Sequence, residues 1–198
     1  MGLQHKLEII LASASPRREQ LLREMGLRFT VIRPDGVEET LGGAAPEVLA
    51  MCNAQRKARA VAGRHREALV IGADTVVVLD GEVFGKPRDF DEAARMLKRL
   101  VGRPHEVITG VCFIHRALET EISIFERTHV RMRPLNTEQI HDYLRKIDPS
   151  DKAGAYAIQE FGEGIVEHIE GSYSNVMGLP TERLRTTLET LGVLTAMS

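Results

Sequence analysis

The chain of 198 residues has only two cysteines, Cys52 and Cys112, far apart and each inside an apolar or helical pattern. Two buried, reduced thiols are expected rather than a disulfide framework. A basic excess is also missing. The formal net charge is −2 with the signs well mixed, which argues against a nucleic-acid-binding module. A small anionic ligand stays open, because one local cluster of cations suffices for it. No apolar stretch approaches the length of a membrane span. The opening run Met1-Gly2-Leu3-Gln4-His5-Lys6 carries no signal-peptide apolar region. Neither a membrane nor nucleic acid is therefore an expected partner, and a cytoplasmic location is expected. The seven histidines are scattered without paired zinc-ligand spacing. There is no Rossmann fingerprint, and no Ser-His-Asp or Cys-His arrangement follows from spacing.

What is present suits a packed core. Hydrophobic residues make up 43% and charged residues 27%, enough for one sizeable α/β domain or one domain of two lobes around a cleft. Leu7 to Ala12 reads as a short buried strand, then Ser13 to Pro16 turn into a helix that runs to about Met25. Ser15 is placed as its N-cap and Pro16 as its first residue. Phe29 to Ile32 reads as strand, and Pro34 to Gly43 as a polar loop. A helix runs from Pro46 to Gly63. Leu69 to Leu79 is the strongest strand, with an Asp80-Gly81 hairpin signal returning it through Glu82 to Phe84. Asp91 to Val101 is amphipathic helix, with Asp89 and Asp91 placed as caps. Two long strands follow, Glu106 to Arg116 and Thr120 to Arg133. Thr137 to Ile147 is helix, Ala155 to Ile158 and Gly164 to Ile169 short strands, Gly171 to Pro180 loop, and a last helix ends at Leu191. Alternating elements interrupted by a long hairpin predict a mixed sheet with helices on its faces.

Several clusters point to anion chemistry. In Ser13-x-Ser15-Pro16-Arg17-Arg18 a helix start offers free N–H groups and a positive dipole end. Two arginines in that first turn are unfavourable unless an anion binds there. The alternative is an ordinary cap with two solvated arginines. On the strand Leu69 to Leu79, alternation puts Val70, Gly72, Asp74, Val76 and Val78 on one face. A carboxylate among valines is costly if merely buried. It is reasonable where that face opens into a cleft, to bind a metal or activate water; the alternative is a hydrogen-bonded structural Asp. Gly72 would allow close approach of another group. Gly85-Lys86-Pro87 is not a P-loop, since Gly81 and Gly85 enclose three residues and proline follows the lysine. Lys86 is a phosphate contact or a surface turn lysine. Lys57, Arg95, Lys98, Arg99 and Arg103 read locally as solvated charges. Glu38 and Glu39 are loop acids open to a divalent cation. Gln159 can read a base edge or satisfy backbone.

Taken together, five segments resemble the Maf family of nucleotide pyrophosphatases. They are Ser13-Ala-Ser-Pro-Arg-Arg18, Ile71-Gly-Ala-Asp-Thr-Val76, Gly85-Lys-Pro87, Asp151-Lys-Ala-Gly-Ala-Tyr-Ala-Ile-Gln159 and Gly171-Ser-Tyr-Ser-Asn-Val-Met-Gly-Leu-Pro180. Their order and spacing fit from about Ile9 to the last helix. The resemblance implies one domain over 1–198, with two lobes around a cleft on a long mixed sheet, similar to the inosine triphosphatase fold. It implies hydrolysis of a nucleoside triphosphate between the α and β phosphates, aided by Mg2+, Mn2+ or Co2+. It makes Asp74 the general base, Ser13, Arg17, Arg18, Lys57 and Lys86 the triphosphate ligands, and Glu39 with Asp74 the metal carboxylates. Arg17, Thr75 and Gln159 match the dTTP and UTP branch. The 7-methyl-GTP branch tends to Trp, Gln and Glu there, where Trp stacks on a cationic purine and Glu complements its charge. The resemblance also implies a homodimer, and family proteins carry an older label as septum-formation inhibitors, which keeps a non-catalytic nucleotide-binding regulator as an alternative. Two positions depart from the family pattern: Glu160 stands where glycine is more frequent, and Thr181 where leucine is.

Overall fold

The computed structural model describes residues 7–194. Among these residues seven strands form one sheet, ordered β2-β1-β3-β5-β6-β7, with β4 hydrogen-bonded to β3 outside that path. The strands are β1 (Ile9–Ala12), β2 (Thr30–Ile32), β3 (Leu69–Leu79), β4 (Glu82–Phe84), β5 (Pro104–His115), β6 (Thr120–Met132) and β7 (Val166–Glu170). The helices are α1 (Pro16–Glu24), α2 (Pro46–Ala62), α3 (Phe90–Leu100), α4 (Thr137–Leu144), α5 (Tyr173–Met177) and α6 (Thr181–Thr190). Both neighbours of β1 run parallel to it, whereas β3 to β7 pair antiparallel. The sheet is therefore mixed, as expected.

Strand β3 organises the site. On one face Ile71, Ala73, Val77 and Leu79 enter the main core with Leu22, Leu97, Leu100, Leu184 and Leu188. On the other face Val70, Val76 and Val78 pack under α2. Helix α2 reaches the sheet through Ala50, Ala54 and Ala58, all fully buried. Its approach is so close that a Cβ on Gly72 would lie 2.4 Å from the Ala54 carbonyl oxygen, and one on Gly110 2.4 Å from the Met51 nitrogen. Only glycine fits beneath it.

The second feature is a gap along one edge of β3. Strand β1 pairs with Leu69 to Gly72, and β4 pairs with Val77 to Leu79. Between them, Ala73 to Val76 have no strand partner on that edge among the described residues, and Asp74 and Thr75 lie in this gap. The hairpin that brings β4 back uses Asp80 and Gly81, both at positive φ (52° and 81°), as a tight hairpin turn requires.

Several expectations are corrected. Ala155 to Ile158 is not a strand: Gly154 and Ala155 both take positive φ (69° and 63°), closing a 3-10 turn over Ala153–Ala155. Gly171 to Pro180 is not all loop, because α5 lies inside it, capped by Ser172, which accepts from the Asn175 amide. Helix α4 stops at Leu144, short of Ile147. Asp89 is the cap of α3 and accepts from the Glu92 amide, whereas Asp91 lies inside the first turn. Ser15 occupies the N-cap position of α1 without a side-chain cap bond. Cys52 is exposed rather than buried; Cys112 is buried, and burial pushes its thiol up to about 11. No helix among the described residues is long and apolar enough to cross a membrane.

Candidate active site

The gap in the β3 edge opens into a cavity of about 250 Å³. All nine predicted site residues line it: Ser13, Arg17, Arg18, Glu39, Lys57, Asp74, Thr75, Lys86 and Gln159. They arrive from six separate stretches of chain. Ser13 comes from the β1–α1 turn and the arginines from the first turn of α1 that follows it, Glu39 from the loop before α2, and Lys57 from α2. Asp74 and Thr75 come from β3, Lys86 follows β4, and Gln159 follows the 3-10 turn. The neighbouring acid Glu38 is not among the lining residues.

Lys57 is the hub. Its Nζ donates to Asp74 Oδ1 at 2.6 Å and to Glu39 Oε1 at 2.7 Å. The same nitrogen lies 3.4 Å from the Ala73 carbonyl, one of the β3 edge groups left free by the gap. Asp74 is buried, and its second oxygen accepts from Asn53 Nδ2 at 3.0 Å. Both carboxylate oxygens are thus occupied by donors, which compensates the cost of burial. Burial raises the Glu39 carboxyl, but the ammonium groups of Lys57 and Lys86 outweigh it and hold the group at about 2. Lys86 contacts both Glu39 oxygens, at 2.9 and 3.1 Å.

The arginines form the opposite wall. Arg18 donates to the Gly178 carbonyl at 2.8 Å and to Thr75 Oγ1 at 3.0 Å. Desolvation lowers its pKa, Asp74 opposes that shift, Arg17 adds to it and Glu39 opposes it again. Thr75 in turn meets Thr109 Oγ1 at 2.9 Å. Arg17 is held by Asp151, through the carboxylate at 2.8 Å and the backbone carbonyl at 3.1 Å. Lys152 clamps that carboxylate from the other side at 2.8 Å. Ser13 Oγ accepts from the Ser15 amide at 3.1 Å, so it tightens the turn where it had been expected only to face a ligand. Gln159 Nε2 donates to Glu160 at 3.2 Å, while its Oε1 is buried without a partner among the described residues.

Five cations (Arg17, Arg18, Lys57, Lys86, Lys152) and three carboxylates (Glu39, Asp74, Asp151) line the cavity. The cationic surplus, next to the N-terminus of α1, suits a polyanion. One buried carboxylate on a strand remains to be explained, and an acid at a phosphate site is suited to water activation or metal binding. The family whose description is "Maf-like protein" matches residues 8–191.

The chain belongs to the Maf family. A dTTP/UTP pyrophosphatase of Clostridioides difficile is 46% identical to this Maf chain over 178 residues, covering 90% of this chain and 92% of the relative. One from Symbiobacterium thermophilum is 48% identical over 176 residues, covering 89% and 90%. Among solved structures, a HAM1 protein from Coxiella burnetii covers 93% of this chain and 99% of its own at TM-score 0.50 and 16% identity. The Staphylococcus aureus Ham1 protein gives the same coverage and TM-score at 15% identity. At such identity the likeness concerns the fold, and it bears out the mixed α/β class expected for the Maf chain.

Sequence reasoning missed three residues of this Maf site. Asn53 stands one helical turn before Lys57 on α2, so the i, i+4 spacing was the available signal. Asp151 and Lys152 lie inside a segment already quoted for the resemblance, but their partners are 134 residues away and one residue away respectively. No local pattern points from Asp151 to Arg17.

Among the described residues no group of three or more His, Cys, Asp or Glu side chains stands ready for a metal. Glu39 and Asp74 nevertheless meet at one nitrogen, and Glu39 is held ionised. Two carboxylates with oxygen donors alone fit a hard divalent cation that keeps water and takes phosphate oxygens for its other positions.

Proposed function

We propose that the cleft hydrolyses pyrimidine nucleoside triphosphates such as dTTP and UTP to the monophosphate and pyrophosphate. The observation that carries this is Asp74: a buried carboxylate, both oxygens held by donors, in a cavity otherwise dominated by cations. A site that only bound triphosphate would gain nothing from another negative charge. The names of relatives at 46% and 48% identity support the same reaction.

In the mechanism we infer, the triphosphate enters the gap along the β3 edge. Arg17, Lys57 and Lys86 exchange carboxylate partners for phosphate oxygens, and Arg18 joins them from its neutral partners Gly178 and Thr75. Together they neutralise charge as it builds on the leaving pyrophosphate. Ser13 and the start of α1 hold one phosphate group. Asp74 orients a water and takes its proton as the water attacks the α phosphorus. A divalent cation, Mg2+, Mn2+ or Co2+, held by Glu39 and Asp74, would supply further charge neutralisation on the phosphate oxygens. Arg17, Thr75 and Gln159 set the choice of base. A cytoplasmic location and, as the family resemblance implies, a homodimer belong to the same proposal.

One observation favours a cationic methylated purine instead: the Glu160 carboxylate sits against Gln159. Lys152 lies 3.5 Å from that carboxylate and takes up its charge, so the uncharged pyrimidine is preferred. A panel of nucleotides including 7-methyl-GTP, run with each metal and scored for pyrophosphate against orthophosphate, separates the readings. Pyrophosphate from dTTP and UTP supports the proposal. Fastest turnover of 7-methyl-GTP, or orthophosphate release, contradicts it.

A further inference from the structure

Asn53 is fully buried in α2, and its side-chain amide has no free valence. Nδ2 donates to Asp74 Oδ2 at 3.0 Å and to the Thr40 backbone carbonyl at 3.0 Å. Oδ1 accepts from the Thr40 backbone N–H at 3.1 Å and the Thr40 hydroxyl at 3.3 Å. Arg56 adds a donor to Oδ1 at 3.3 Å and also donates to the Thr40 hydroxyl. An amide offers two donors and one carbonyl acceptor, and all are engaged. Turning the amide over would set its oxygen against the Asp74 carboxylate and its N–H groups against the Thr40 N–H, so only one orientation is tolerated.

The consequence lies in what the two ends hold. Thr40 follows Glu39, and the paired bonds to its N–H and C=O pin the loop backbone beside that carboxylate. The other donor fixes the Asp74 oxygen that Lys57 leaves free. We propose that Asn53 is a positioning residue, coupling the seating of the Glu39 loop to the orientation of Asp74. This rests on the roles proposed above for Glu39 and Asp74. Asn53 does not line the cavity, so it acts through these two groups and not on the nucleotide.

The test uses the full chain as wild type, Asn53→Ala and Asn53→Asp. Alanine adds neither bulk nor charge to α2 and is the best helix former; aspartate keeps the shape but sets a carboxylate against Asp74. Three quantities are read: kcat and KM for dTTP with Mg2+, the affinity for a non-hydrolysable α,β-imido nucleotide, and amide hydrogen exchange over residues 37–43. We expect kcat to fall roughly 10–100-fold, as for other groups that orient active-site ligands, more for aspartate than for alanine. KM and nucleotide affinity stay near wild type. Exchange over 37–43 speeds up while that of α2 does not. Wild-type kcat with unchanged loop exchange in Asn53→Ala overturns the proposal. So does a joint loss of kcat, nucleotide affinity and α2 protection, which marks a purely structural role. If Asn53→Asp fails to fold, the alanine variant alone decides. A wild-type protein that binds nucleotide yet turns over none overturns the pyrophosphatase reading itself, and the coupling with it. An active wild type beside a fully active Asn53→Ala overturns the coupling alone.

Discussion

At Lys57 one ammonium nitrogen serves two carboxylates, and that shared contact brings loop, helix and strand to a single point. The acid on the strand is the member whose removal separates binding from chemistry. Asp74→Asn is expected to lower kcat for dTTP by roughly 10²–10⁴-fold, the usual contribution of a positioned general base. It should leave the affinity for an α,β-imido nucleotide largely intact, since the cationic wall is unaltered. Turnover at the wild-type rate contradicts the role given to Asp74. His105 makes a different prediction. It is buried, and its Nε2 lies 2.8 Å from the Tyr156 hydroxyl on the cavity wall. Desolvation lowers its pKa from 6.5 to about 4, outweighing the Arg103 backbone, which acts the other way. The unfolded chain therefore binds more protons than the folded one between these values. The contribution is complete above about pH 6.5 and is lost as pH falls toward 4. Melting temperatures over that window should fall less steeply in His105→Phe than in wild type; equal slopes contradict the assignment.

Among the elements, α2 matters most, because it carries Asn53 and Lys57 and covers the Asp74 face of β3. Its distance from the sheet depends on Gly72 and Gly110. A methyl group on Gly72 would collide with the Ala54 carbonyl and the Ala58 amide, at 2.4 and 2.7 Å. Backbone cannot move aside as a flexible side chain can. Gly72→Ala should cost roughly 1–3 kcal/mol through overpacking, seen as a melting temperature lower by about 2–12 °C. Activity should fall with it, because α2 would lift Lys57 away from Asp74. An unchanged melting temperature contradicts this packing. The same elements show what was legible in the sequence. Strand β3, its Asp80-Gly81 turn and α2 were readable because alternation, turn chemistry and a Pro start are local signals. Residues 155–158 misled because an apolar run reads as strand, whereas tertiary contacts hold it irregular. Tyr156 goes to His105, and the Ala157 N–H and C=O both pair with the Tyr143 hydroxyl. Helix α5 is five residues long, too short to leave a helical period. The chemical types of the site were legible in their motifs. Its pairings were not, since Arg17 with Asp151 and Asn53 with Thr40 join residues far apart in sequence.

Over the whole molecule, a mixed sheet brings β1 and β4 to the same edge of β3 without closing it. The interval left open is where six stretches of chain deliver opposite charges in unequal number. A net charge of −2 gives no hint of such a cationic pocket; local convergence, not global charge, makes the anion site. The most direct test of the resulting chemistry is the fate of the attacking oxygen. dTTP should be hydrolysed in oxygen-18 water and both products weighed by mass spectrometry. Attack at the α phosphorus places one heavy oxygen in the monophosphate and none in the pyrophosphate. Label in pyrophosphate, or release of labelled orthophosphate, would contradict the account.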